Sequence, residues 1–308
     1  MARRLRHLHP DLRLVHVTFK CVDDAFLLFP DPRTVAVLAV ALAEALERYG
    51  VKLHAICIVS NHAHLLLGIE GARLDLFMQF FLSQVARQMN EQLGRSGAFF
   101  KGRYRHEPIL SDDAFFAKLR YVHAQPVRHD LTARADQWPG LSSYATVVSG
   151  AAAIEVRHFD EKAWRAAGAK PAERADFTTE VAVPITEPPQ WEGLSAREEE
   201  AARRALRANM TDYETEMAAD RRARGHHLPA PSSYTKQDPR KRPKGKAPFR
   251  QQPWAHGTED EVEAYRAAYS ETLAAYKVAS AQYRATGHMC PFPRGTYPPR
   301  IPVPFEVT

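Results

Sequence analysis

Residues 51–70, VKLHAICIVSNHAHLLLGIE, constrain this chain more than any other stretch. Two apolar runs, 51–59 and 63–70, flank a polar break at Ser60-Asn61, which reads as two strands with a bend between them. A helical segment lies on each side. Pro32 opens one that runs through Tyr49, rich in Ala, Leu and Val, with Gly50 as its stop. The other runs from about Ala72 to Leu93 and turns Phe77, Phe80, Phe81, Leu82 and Val85 toward the core. Leu14 to Cys21 alternate as an opening strand, and 99–110 read as extended. The order is therefore β-α-β-β-α, then a strand and a helix. That pattern predicts an α+β fold, a ferredoxin-like antiparallel sheet with packed helices.

His62 and His64 fall at the start of the second strand of this pair. Residues i and i+2 of a strand point to one face, so the two imidazoles aim at one point, as a metal ion needs. Both could instead be satisfied core or surface histidines. Residues 112–125, DDAFFAKLRYVHAQ, read as a helix capped by Ser111 or Asp112. Phe115, Phe116, Leu119 and Val122 form its apolar stripe, and Pro126 ends it. Tyr121 and Gln125, four apart, share one face of this helix. A phenol and an amide are thus presented together to any metal that the histidines hold.

With NHAHLLL at 61–67 and FFKGRYRHEPILSDDAFFAKLRYVHAQPVRHDL at 99–131, the chain resembles the single-tyrosine HUH transposases. These comprise the insertion-sequence-200-like and REP-associated tyrosine transposases. LVHVTFKC at 14–21, YGVKLHAICIVSNH at 49–62 and SSYATVVSG at 142–150 fit the same pattern in the same order. The resemblance covers roughly the first half of the chain. It implies that the sheet and its helices form an HUH endonuclease core. His62 and His64 match the two histidine ligands, Tyr121 the nucleophile, and Gln125 a third, amide or carboxylate, ligand. Val59-Ser60 stands where a Met-Pro pair often precedes the Asn-His, and Ala124-Gln125-Pro126-Val127 where many relatives read Leu-Asn-Pro-Val. The implied cofactor is a divalent metal, Mg²⁺ or Mn²⁺. The implied substrate is single-stranded or hairpin DNA, and the implied product a 5′-phosphotyrosine with a free 3′-hydroxyl. Insertion-sequence relatives act as dimers, while REP-associated ones can be monomeric, so a homodimer stays open.

Composition fits this reading. The 308 residues carry a net charge of +6, and the 45% hydrophobic content is ordinary for a globular protein. No stretch approaches the ~20 apolar residues of a membrane span. Three cysteines, Cys21, Cys57 and Cys290, have no pair spacing for a disulfide framework, and a cytoplasmic setting is expected. Lys101, Arg103 and Arg105 alternate on one face if 99–106 is a strand. Interleaved with Phe99, Phe100 and Tyr104, they are candidate DNA contacts; the competing account is a basic edge that discourages sheet pairing.

Residues 1–150 are expected to be the catalytic domain, 151–193 a linker, and 194–308 a helical, basic and proline-rich C-terminal extension. Ser195/Glu198 and Thr258/Glu261 read as capping boxes of two charged helices. Residues 226–256 are expected to be irregular, and Tyr265, Tyr269, Tyr276 and Tyr283 to form a packing stripe. Two other functions stay open. One is a noncatalytic nucleic-acid-binding descendant of a transposase. The other is a His-x-His metallohydrolase, for which no carboxylate-histidine spacing supplies the further ligands. Tyr104 is the competing nucleophile.

Overall fold

The computed structural model describes residues 12–69, 73–236, 238–239, 241 and 254–299. The first half has the predicted element order. β1 (Leu14–Lys20) leads to α1 (Pro32–Tyr49), then β2 (Lys52–Val59) and β3 (His62–Gly68). α2 (Leu74–Gln92), β4 (Arg105–Pro108) and α3 (Asp112–His123) follow. The four strands form one sheet in the order β2-β3-β1-β4, with every neighbouring pair antiparallel. Local chemistry sets the ends of α1. The Asp31 carboxylate accepts from the backbone N–H of Arg33 and Thr34, Pro32 occupies the first turn, and Gly50 closes the helix at φ +62°.

The pleat divides the sheet into two differently used faces. Val15, Val17 and Phe19 of β1 and Ala63, Leu65 and Leu67 of β3 face a core with Leu38 and Leu42 of α1 and Phe77 and Phe81 of α2. Ala55, Cys57, Val59 and Leu66 face the other way, against Phe115, Leu119 and Val122 of α3. The sheet is thus sandwiched between α1/α2 and α3. Phe77, Phe81 and Phe115 are fully buried, each contributing roughly 1.5–3 kcal/mol by removal from water.

The outer edge of β2 is covered rather than exposed. Ile58 N donates to Leu141 O and Ser143 N to Ile56 O, each at 2.9 Å, and the Trp138 indole N–H donates to Ile58 O at 2.9 Å. The Ser143 hydroxyl accepts from Ile56 N at 2.9 Å and shares a hydrogen bond of 2.9 Å with His123 Nε2. His123 therefore ties the end of α3 to the strand edge. Pro126 does not simply stop the helix. It lies in a further turn, α4 (Gln125–Arg128), where its missing N–H costs nothing.

Two sequence expectations need correction. The segment 151–193, expected as a linker, contains regular structure. After α5 (Tyr144–Ser149) come β5 (Ala153–Phe159), α6 (Glu161–Ala166) and β6 (Thr178–Pro184). β5 and β6 pair as an antiparallel two-stranded sheet. Ile154, Val156, Val181 and Val183 recur at period 2 and pack onto the core beside α1. The Pro, Thr and Glu content at 169–192 masked that alternation. Likewise 99–104 is not a strand continuous with β4, because Gly102 turns the chain at φ +71° and Lys101–Arg103 lies in a bend.

The C-terminal part holds α7 (Ala196–Ala223), α8 (Ser232–Thr235) and α9 (Glu259–Thr286). Both expected capping boxes form, at Ser195/Glu198 and Thr258/Glu261. α7 is fastened to the first half by Arg221–Asp130 at 3.0 Å and by the buried Met210 against Ala124 and Val127. Tyr269 is buried, and Tyr276 and Tyr283 pack on Phe292. Residues 237, 240 and 242–253 of the basic stretch, and 300–308 of the proline-rich end, lie outside the described residues.

Burial pushes the His123 imidazole down to about 3. The unfolded chain takes up this proton near pH 6.5, so it binds more protons than the folded one between pH 6.5 and about 3. Stability is fully present above that window and falls as pH drops through it, by up to roughly 4 kcal/mol for one imidazole. The urea midpoint of His123→Gln should fall less between pH 7 and pH 4.5 than that of the parent chain. An equal fall in both would show that His123 does not carry the dependence.

Candidate active site

The face of the sheet turned toward α3 carries the histidines. Thr18 opposes His64 and Lys20 opposes His62 across β1/β3, while His16 opposes Glu107 and Thr18 opposes Arg105 across β1/β4. Opposed residues share a face. His16, His62, His64, Arg105 and Glu107 therefore stand on one side of the sheet, under the helix that bears Tyr121. The His62 and His64 rings lie 5.1 Å apart, and His64 is 5.3 Å from the Tyr121 ring between centroids. The His16 ring lies parallel to that of His64, edge to edge at 5.2 Å between centroids, and meets the Tyr121 ring edge-on at 5.8 Å.

Hydrogen bonds fix where the imidazole protons sit. Desolvation holds His16 near pKa 4 and His62 near 3, and places His64 well below the ordinary value. At neutral pH each ring is uncharged and owns one N–H. Glu107 Oε2 lies 3.1 Å from His16 Nδ1 and 2.8 Å from His256 Nε2, so both nitrogens donate to it. Burial opposes ionisation of Glu107, yet these bonds hold its carboxyl well below the usual carboxylate range. His16 Nε2, now bare, lies 3.0 Å from His64 Nδ1 and accepts that proton. His64 Nε2 is then a lone pair. His62 Nδ1 donates to Asn61 Oδ1 at 2.7 Å, and the Asn61 amide nitrogen is itself committed to Asp24 O at 3.1 Å. His62 Nε2 is then a lone pair too.

Gln125 completes this arrangement. It is 1% exposed, and its amide nitrogen donates to Tyr121 O at 2.9 Å. That leaves its oxygen to meet the His62 imidazole, with which it hydrogen-bonds when the ring is protonated. In the neutral state, two lone-pair atoms face each other in a desolvated site. Imidazole nitrogens and an amide oxygen are both donor types that divalent metals accept.

Tyr121 is half-buried, with two cations over its ring: Lys118 Nζ at 4.6 Å and the Arg128 guanidinium at 4.8 Å from the centroid. Desolvation pushes the Lys118 ammonium down to about 8, Glu107 opposing that and Arg128 adding to it. His129, at 5.1 Å from His62, is also held below its ordinary value, chiefly by burial.

The other expected residues divide. Arg105 shares the face of the histidines. Lys101 is exposed and bonds to Asp24 at 3.0 Å, and Arg103 is exposed on the bend. Tyr104 packs against the core on the α1/α2 side of the sheet, away from Tyr121. Sequence reasoning missed His16, Glu107, His256 and Lys118. A carboxylate-histidine group that could hold a metal ion exists nonetheless, as His16, Glu107 and His256. Its members are 91 and 149 residues apart from Glu107, so no local spacing reveals it. The one available signal is the polar phase His16-Thr18-Lys20 of β1.

No family model and no curated protein sequence matches the chain. Among solved structures it is similar to a REP-associated tyrosine transposase bound to a REP hairpin, at 15% identity and TM-score 0.40, over 48% of this chain and 86% of the other. It is also similar to an inferred transposase from Deinococcus radiodurans R1, at 17% identity and TM-score 0.29, over 41% of this chain and 98% of the other. No described helix is long and apolar enough to cross a membrane.

In nitrogen-15 spectra of the metal-free protein at pH 7, His62 and His64 should both be neutral tautomers protonated at Nδ1, and should stay neutral to pH 5.5. Protonation of either Nε2 at pH 7 would contradict the hydrogen-bond assignment.

Proposed function

We propose that this chain is a metal-dependent, transposase-like single-strand DNA endonuclease and strand transferase. One neighbourhood supports the reading: the His62 and His64 rings lie 5.1 Å apart on one face of the sheet, the Tyr121 ring is 5.3 Å from His64, and Gln125 hydrogen-bonds to Tyr121 O at 2.9 Å. The resemblance of the motifs at 61–67 and 99–131 supplies the reaction class. Bound at this donor set, Mg²⁺ or Mn²⁺ supplies Lewis-acid polarisation and orientation of a nonbridging phosphate oxygen.

The chain's own groups do the rest. Tyr121 loses its phenolic proton and its oxygen forms a bond to phosphorus. The bond from phosphorus to the 3′-oxygen breaks, and that oxygen takes up a proton as a free 3′-hydroxyl. The product is a 5′-phosphotyrosine that retains the ester bond energy for rejoining. Arg128, with Lys118 while it is protonated, puts positive charge beside the ring where the anionic phosphate would sit. With its ammonium held near pKa 8, Lys118 is suited to accept the phenolic proton. Arg105 on the same face, with Lys101 and Arg103 on the adjoining bend, contacts backbone phosphates of single-stranded or hairpin DNA.

The His16–Glu107–His256 group favours a second reading, a metallohydrolase that activates water. The two readings diverge at Tyr121. Incubated with labelled hairpin oligonucleotides and Mn²⁺, the parent chain should give a covalent adduct on a denaturing gel, and Tyr121→Phe should give none while still binding DNA. His64→Ala should slow cleavage by roughly 10–100-fold, partly restored by higher Mn²⁺. Cleavage surviving Tyr121→Phe without an adduct would establish the hydrolase. DNA binding with no cleavage by the parent chain would leave a noncatalytic binder. An adduct lost in Tyr104→Phe but kept in Tyr121→Phe would move the nucleophile.

Binding should also favour single-stranded or hairpin DNA over blunt duplex and weaken steeply between 50 and 200 mM salt. Fluorescence anisotropy with matched oligonucleotides measures both; equal affinity for duplex at all salt concentrations would count against this substrate.

A further inference from the structure

Three elements meet at Glu107: β1 brings His16, β4 brings the carboxylate, and the segment before α9 brings His256. His256 is not a loosely placed side chain. Its backbone N–H donates to Pro108 O at 2.8 Å, and its carbonyl accepts from Leu110 N at 2.7 Å, a rung of parallel pairing beside Ile109. One ligand atom from each of His16, Glu107 and His256 lies within 4.8 Å of the other two. Two imidazoles and one carboxylate form a donor set for Zn²⁺ or a similar first-row divalent ion.

We propose that His16, Glu107 and His256 form a second cation site, and that filling it turns off the His62–His64–Gln125 site through the His16–His64 hydrogen bond. The coupling half rests on reading that first group as a cation site. Without an ion, His16 carries its proton on Nδ1 and His64 on Nδ1, which leaves His64 Nε2 free. A cation on His16 Nδ1 requires the lone pair there, so the His16 proton moves to Nε2. That N–H now donates to His64 Nδ1, and the His64 proton moves to Nε2. His256 shifts its own proton to Nδ1. No proton is gained or lost and no charge changes on the protein, but His64 Nε2 now bears hydrogen and ceases to be a ligand.

The linkage is reciprocal: an ion on His64 Nε2 locks the His16 proton on Nδ1 and closes the second site. The second site adds an anionic ligand, Glu107, to two imidazoles, a set that binds Zn²⁺ more tightly than Mn²⁺. Because His256 belongs to the C-terminal part, that part acts on the first site through Glu107 and His16.

The test is calorimetry on the full chain near neutral pH, with Zn²⁺ and Mn²⁺ alone and Mn²⁺ after one equivalent of Zn²⁺. Zn²⁺ loading should weaken Mn²⁺ binding by about tenfold or more, and His256→Ala should weaken Zn²⁺ binding by about 10–100-fold. In His256→Ala, Mn²⁺ affinity should stay within about twofold of the parent chain. His256→Gln, whose amide still donates to Glu107 but is a poor zinc ligand, guards against misfolding and should behave alike. Nitrogen-15 spectra of the Zn²⁺-loaded parent should show His64 protonated at Nε2. Zn²⁺ affinity that ignores His256 but is lost in His62→Ala would place zinc at the first site and overturn the proposal. Independent binding of the two ions would overturn the coupling. His256-dependent Zn²⁺ binding without any Mn²⁺ binding would instead refute the first site as a cation site, and the second would stand alone.

Discussion

The hydrogen bond between His16 Nε2 and His64 Nδ1, 3.0 Å long, is the contact on which the rest of the site depends. Both rings are almost wholly buried. A buried imidazole nitrogen without a partner costs about 1–3 kcal/mol, so each ring needs the other. Their side chains are diagonal neighbours across β1 and β3, and the bond therefore forms in one register only. A slip of one residue in either strand would send His16 or His64 to the α1/α2 core and break it. The same bond carries proton order from Glu107 to His64.

The sheet thus has two faces with different demands. The face toward α1 and α2 is apolar along β1 and β3, with His106 of β4 at its margin, and provides most of the stability. The face toward α3 is apolar only near β2, where Phe115, Leu119 and Val122 cover Ala55, Cys57 and Val59. Toward β1 and β4 it turns polar. α3 bridges both zones: its N-terminal turns pack on the apolar zone, and its end lays Tyr121 over the polar one. His123, bonded to Ser143, holds that end against β2. Desolvation on this face keeps the histidines neutral and their lone pairs available.

Lys118 and Arg128 add positive charge at the ring of Tyr121, while Glu107 stands as the near anion of the site. An anionic substrate would meet cations at the tyrosine, and a cation would meet neutral donors beneath it. The C-terminal part is not a passive appendage to this arrangement. Through His256 it pairs with the β4 edge and bonds to Glu107. Through α7 it clamps Asp130 by Arg221 and Arg224.

The sequence by itself determined the element order, both ends of α1, the two capping boxes, and the shared face of His62 and His64. Each of these follows from local chemistry: a period of two, a proline, a glycine, or a side chain reaching its own helix terminus. It also placed Tyr121 and Gln125 on one side of a helix, since four residues make about one turn. The hairpin at 153–184 was hidden by composition, its alternation too short to stand out from Pro and Glu. His16, Glu107 and His256 were beyond any local pattern, because strand pairing and the rung at His256 bring them together across the chain. The positions of the imidazole protons were further still from the sequence, being fixed only by distances between groups that tertiary packing sets side by side.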